Sequence, residues 1–315
     1  MTRRGAFDAA LVVSVGIGWG LLAPATKALF LATPAAFDGI SVAVARAVWA
    51  FPIFLIAAAV LLLRERPHLS ARRWLAIVGG GVAFGIGITF VFSVAAAHTS
   101  ISHLSFLIGT SPVTNSAAAA LAFRIPLGWR ERTALALGIL GVGLLAASHT
   151  GGSAGLYGDS LMLLWLAAFA IYAVLLRYVG PGVSPLFTMS VVGVVSMGAV
   201  ILVGLAIPGA FRGVPHVLDS PSSAAWFFGE VLIGSTFVGQ TAYAFAVQRF
   251  GVSIATIGAE YTALTVGITA SVVWHEPWSP LTIAAGFILI GALGVTFVRL
   301  PASARRLASG RGERF

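Results

Sequence analysis

The chain has 315 residues, of which 58% are hydrophobic and only 9% charged, and its mean hydropathy is +0.98. An ordinary soluble domain carries about 25% charged residues, so a water-soluble enzyme, a disordered chain and a collagenous fibre are all excluded and a polytopic membrane protein remains. The absence of cysteine removes a disulfide scaffold, Cys-ligated zinc and a Cys nucleophile, and the net charge of +9 comes from bases that flank apolar runs, with none of the aromatic-interleaved stripe that nucleic acid requires.

A bilayer core about 30 Å thick takes one helix of roughly 20 apolar residues. Apolar windows fall at 8–31, 37–63, 74–97, 101–123, 132–148, 157–178, 185–208, 224–248, 252–274 and 279–300, here numbered spans 1 to 10. Short connections hold the breakers Pro34, Pro67, Gly151, Gly152, Pro181, Gly182, Pro215, Pro221 and Pro280. Met1 to Arg4, the apolar run behind them and Ala23-Pro24-Ala25 resemble a secretory signal. The run is too long for a signal's apolar core, and it is expected to stay as span 1. Pro24 and Pro112 are expected to bend spans 1 and 4.

With the N-terminus in the cytoplasm, 16 of the 19 bases lie inside, only Arg212 outside, and Lys27 and Arg46 within spans. This is the positive-inside asymmetry. It predicts an even number of spans, both termini cytoplasmic and a bacterial inner-membrane location. A basic tail follows at 301–315.

The two halves, 1–150 and 151–300, share an offset of 150 residues. It carries Trp19 onto Phe169, Lys27 onto Arg177, Phe37 onto Phe187 and Gly141 onto Gly291, while Trp74 pairs with Trp226 at 152. Five spans per half is an odd number, so the halves enter the membrane in opposite senses. The fold expected is all-α, ten transmembrane helices in two inverted five-helix repeats, with a substrate site near the midplane.

Gly18-Trp19-Gly20 followed by Pro24 and Lys27, Ala45-Arg46-Ala47, Ser111-Pro112, the Gly138, Gly141 and Gly143 series, and Gly158-Asp159-Ser160-Leu161 closing at Tyr172 and Arg177 together resemble the drug/metabolite transporter superfamily, in its EamA-type ten-helix form. The resemblance covers nearly the whole chain. It departs where Arg124-Ile125-Pro126 replaces the acidic residue often found after the fourth helix, whereas Glu276 keeps one after the ninth. The resemblance implies export of amino acids, aromatic ones among them, or of other metabolites.

Charge within a span costs about 2.5–3.5 kcal/mol on insertion scales, which singles out Lys27, Arg46, Glu230 and Glu260. Glu260 reads either as an ammonium partner or proton-coupling carboxylate, or as a structural pair for Arg46 or Lys27. Arg46 suits a substrate carboxylate bidentately, or else pairs with Glu260 or caps carbonyls. Lys27 either serves the site or snorkels, and Glu230 is expected at the wetted outer rim. Trp19 sits mid-span, about 80° round the helix from Lys27, so both are expected to face one cleft. Thr236, Gln240 and Tyr243 form one polar face, and Tyr172 is a cavity or core aromatic. Trp49 and Trp165 read as packing or lipid-facing, and Asp8 and Asp159 as helix N-caps. The histidines lie at span ends without metal-ligand spacing, so no metal and no cofactor are expected. Gly81 and Gly85 form a small-residue face expected to pack within a monomer.

The function expected is alternating-access export of a small metabolite. An amino acid fits best, with Arg46 on the carboxylate, Glu260 on the ammonium and Trp19, Tyr172 and Tyr243 around the side chain. The alternatives are proton-coupled efflux of lipophilic cations, and sugar-phosphate or nucleotide-sugar antiport, which two intramembrane acids disfavour. An intramembrane enzyme would need a nucleophile and base together in the spans; no His lies mid-span by this reading.

Overall fold

The computed structural model describes residues 3–124, 127–148, 153–180, 182–250, 255 and 278–297. Among these the chain is helical with turns and no strand. Five helices are long and apolar enough to cross a membrane: Val13–Ala32, Gly39–Glu65, Ala71–His98, Gly155–Val179 and Pro185–Leu205. The shorter apolar helices Arg132–Leu144 and Pro280–Ala292 stand in spans 5 and 10. Span 9 lies outside the described residues except for Ala255. Apolar helices satisfy their own backbone groups, which is why this composition folds as a helical bundle in lipid.

Local chemistry sets the breaks. Span 1 divides into Arg3–Gly20 and Leu22–Ala32 at Leu21. Pro24 lacks an N–H and its ring crowds the carbonyl four residues back, at Gly20. Span 4 divides in the same way, into Ile101–Ile108 and Ser111–Ala122. The residue four before Pro112 is Ile108, where the first piece ends. Span 2 begins at a capping box: the Ser41 N–H donates to Asp38 Oδ1 and the Asp38 N–H donates to Ser41 Oγ, each at 2.8 Å. Asp38 is therefore a true cap. Asp8 and Asp159 are not, because both lie inside helices, Arg3–Gly20 and Ser153–Val179.

Span 1 packs along span 8, span 2 on span 7, span 3 on spans 6 and 7, and span 5 on span 10. Gly81 and Gly85 meet Val195 and Ser196 of span 7, so this face is used within the chain. Phe84, Phe92, Phe169, Tyr172, Phe187 and Tyr243 are among the large side chains of the common core. Among the described residues two stretches are π-helical, Ala83–Phe90 in span 3 and Ala225–Gly239 in span 8.

Candidate substrate site

Span 8 carries the site. Its first part, Ala225–Gly239, is π-helical, and an α-helix, Gln240–Phe250, continues it. The i to i+5 register of a π-helix is repeated by a side chain: the Thr236 hydroxyl donates to the Val231 carbonyl at 2.6 Å. Gly234 and Gly239 stand five residues apart, close to one face in that register, and span 1 approaches them through Gly18. A Cβ on Gly18 would lie 2.6 Å from the Gly234 oxygen, and one on Gly239 would lie 2.5 Å from the Trp19 ring. Only glycine permits backbones this close.

On one side of this seam sits Arg46, delivered by span 2 and only 3% exposed. Its Nε donates to Thr236 Oγ1 at 2.6 Å and its Nη2 to Ser235 Oγ at 3.0 Å. Span 8 also brings Glu230, 9% exposed, and the charges of Glu230 and Arg46 act on each other. Glu230 Oε1 is buried with no hydrogen-bond partner among the described residues. A buried carboxylate oxygen left unpaired is costly, and it remains available to a donor from a bound molecule.

On the other side is an aromatic group drawn from both halves of the chain. The Trp19 ring lies 4.9 Å from Tyr243 and 5.5 Å from Phe169, centroid to centroid. Phe169 lies 5.3 Å from Tyr243, and Tyr172 lies 6.1 Å from it. Phe84 of span 3 stands 5.4 Å from Tyr172. The Tyr172 hydroxyl donates to Gln240 Oε1 at 3.4 Å. Trp19 Nε1 donates to the Ser235 carbonyl at 3.3 Å, so a central tryptophan has its N–H satisfied. Ser235 thus joins the two sides: its hydroxyl takes Arg46 and its carbonyl takes Trp19.

Of the residues picked from sequence, Trp19, Arg46, Tyr172, Gln240 and Tyr243 come together here. Lys27 is half-buried in Leu22–Ala32, and the angle of about 80° between it and Trp19 assumed an unbroken helix; the break at Leu21 removes that premise. Glu260 lies outside the described residues. Glu230 is a correction, since it is buried beside the seam rather than wetted at a rim. Ser235 was missed because serine in an apolar helix carries no periodic signal of its own; the flanking glycines, Gly234 and Gly239, are the trace of the close approach it lies in. Arg46 bonds two hydroxyls, which was neither of its expected structural roles. Trp165 is buried, 5.1 Å from Phe169 and 6.4 Å from Phe92.

A second polar cluster lies at the end of the bundle that holds the loops after the odd-numbered spans. Asp159 Oδ1 accepts from the Thr99 hydroxyl at 2.7 Å, and Oδ2 pairs with His103 Nδ1 at 3.0 Å. His103 Nε2 stands 3.4 Å from Ser148 Oγ, which accepts from the Thr282 hydroxyl at 3.0 Å. Trp278 Nε1 donates to Ser102 Oγ at 3.0 Å. Spans 3, 4, 5, 6 and 10 are tied there, and Asp159 is the acceptor that holds them. The exposed pair of Arg212 and Asp38 joins the loop after span 7 to the start of span 2 at the same end. Among the described residues no three His, Asp or Glu side chains converge as a metal site.

Residues 7–147 match the EamA-like transporter family. This stretch is an EamA-like transporter unit. That family belongs to the drug/metabolite transporter class, whose members are multi-pass helical membrane transporters, and the match covers the first half of the chain. A solved structure titled "Crystal structure of protein" superposes with a TM-score of 0.58 at 16% identity, over 96% of this chain and 99% of that one. At that identity the likeness concerns the fold alone, and it extends through the second half. No curated protein matches the chain by sequence.

Proposed function

We propose that this EamA-like transporter exports amino acids with aromatic or apolar side chains across the bacterial inner membrane by alternating access, with both termini in the cytoplasm. The observation that carries the reading is the meeting, along span 8, of a buried Arg46 and Glu230 with an aromatic group of Trp19, Phe169, Tyr172 and Tyr243. Arg46 is the carboxylate partner, with donors in a fixed fork. The rings take the side chain by apolar burial and edge contact.

A site between halves suits rocking of one half against the other. Support for an inverted repeat comes from the packing. Span 1 on span 8 and span 6 on span 3 are equivalent under the 150-residue offset, and spans 2 and 7 and spans 5 and 10 are self-equivalent pairs. The two π-helical stretches also fall on the offset-related spans 3 and 8. Gly81 and Gly85, packed on span 7, favour a monomer over a dimer built on that motif.

Counterflow in proteoliposomes tests the reading with labelled phenylalanine, tryptophan and leucine beside a lipophilic cationic dye and a sugar phosphate. Amino-acid flux that falls at least about tenfold in Arg46→Ala, the loss of a charged hydrogen-bond partner, is the expected result. Flux of the dye or the sugar phosphate without amino-acid flux overturns it.

A further inference from the structure

We propose that Glu230 is the residue that recognises the substrate's ammonium group, and that Arg46 and Glu230 together select molecules carrying both a carboxylate and an ammonium. The inference deepens the amino-acid reading above and rests on it.

Three observations carry it. Glu230 is nine-tenths buried, and its Oε1 lacks a hydrogen-bond partner among the described residues. Arg46, the base that acts on it, is held by two hydroxyls of the same helix, Ser235 and Thr236. The carboxylate is also confined: a Cβ on Gly234 would stand 2.6 Å from Glu230 Oε2, so this glycine leaves the room the carboxylate occupies. The π-helical register places Glu230, Gly234, Ser235 and Thr236 in one segment at the contact with span 1.

Electrostatics gives the selectivity. One buried base and one buried acid of opposite charge form a neutral site. A zwitterion brings one charge of each sign and leaves every charge partnered. A carboxylic acid without an amino group leaves Glu230 unmatched, and an amine without a carboxylate leaves Arg46 unmatched. Each uncompensated buried charge is strongly unfavourable, so both analogues are rejected by the same pair from opposite sides.

The test uses the full chain in proteoliposomes with three ligands of like ring and chain: phenylalanine, 3-phenyllactate and phenethylamine. The wild type is expected to carry phenylalanine at least about tenfold better than either analogue, the scale of one charged hydrogen bond. Glu230→Gln is expected to lose that preference over 3-phenyllactate, by a fall in phenylalanine flux with 3-phenyllactate flux held or raised. Gly234→Ala keeps the charge and displaces the carboxylate, and is expected to raise KM for phenylalanine several-fold. Wild type that carries no amino acid refutes the amino-acid reading itself. Wild type that carries phenylalanine while Glu230→Gln keeps the full preference over 3-phenyllactate refutes the assignment of Glu230. Should Glu230→Gln fail to fold, Gly234→Ala decides: an unchanged KM overturns the proposal and a raised one upholds it.

Discussion

Two polar clusters are buried among the described residues, and they differ in how their acids are treated. Asp159 has both oxygens engaged, by Thr99 and by His103, and His103 leads on to Ser148 and Thr282. Glu230 keeps a buried oxygen without a partner among the described residues. A carboxylate whose oxygens are bonded holds helices in place. One with an unpaired oxygen carries a desolvation cost that the folded chain alone does not recover, and a partner from outside the fold is one way to recover it. The Asp159 cluster accordingly ties spans together as a clasp, and the Arg46–Glu230 cluster is the one proposed above as the receptor.

The contrast is open to experiment. Asp159→Ala removes an acceptor from two buried donors, and at about 1.5–3 kcal/mol for each bond to a charged group it is expected to lower the melting temperature in detergent more than any other single change considered. Glu230→Gln is expected to lower it less, because Glu230 Oε1 has no hydrogen bond to lose and Arg46 keeps its bonds to Ser235 and Thr236. Equal destabilisation by the two would end the distinction between clasp and receptor. Between these extremes, Gly18→Val forces a side chain against the Gly234 carbonyl and the Gly239 backbone. Overpacking of about 1–3 kcal/mol should appear as a lower melting temperature and a reduced yield of monodisperse protein. The smallest effect belongs to Arg212→Ala: both partners of that pair are 44% exposed, and exposed pairs contribute about 0–1 kcal/mol. A melting temperature within a degree or two of wild type is the expected outcome, and a large drop would move the clasp from Asp159 to this loop.

Much of the fold was legible because lipid leaves few options. Runs of apolar residues long enough to cross a bilayer must be helical, and Pro24 and Pro112 break their helices where a missing N–H and a crowded carbonyl require. Arg46, Trp19, Gln240 and Tyr243 stood out because polarity or aromatic bulk inside a span needs a partner or a cavity. Glu230 stood out with them but was assigned to the outer rim, since depth counted from a span end does not say which side of a helix meets another helix. Asp159 looked like a cap for the same reason, and the helix begins six residues earlier, at Ser153.

The sequence by itself therefore determined an all-helical membrane chain, its helix-breaking prolines and the short roster of residues too polar for lipid. These follow from local chemistry and from solvent. Tertiary structure decided which of them meet. The π-helical register of Ala225–Gly239 turns Ser235 and Thr236 to Arg46, and the close approach at Gly18 sets Trp19 against Tyr243. Both depend on how two distant helices cross, and that is settled by the shape of both surfaces at once.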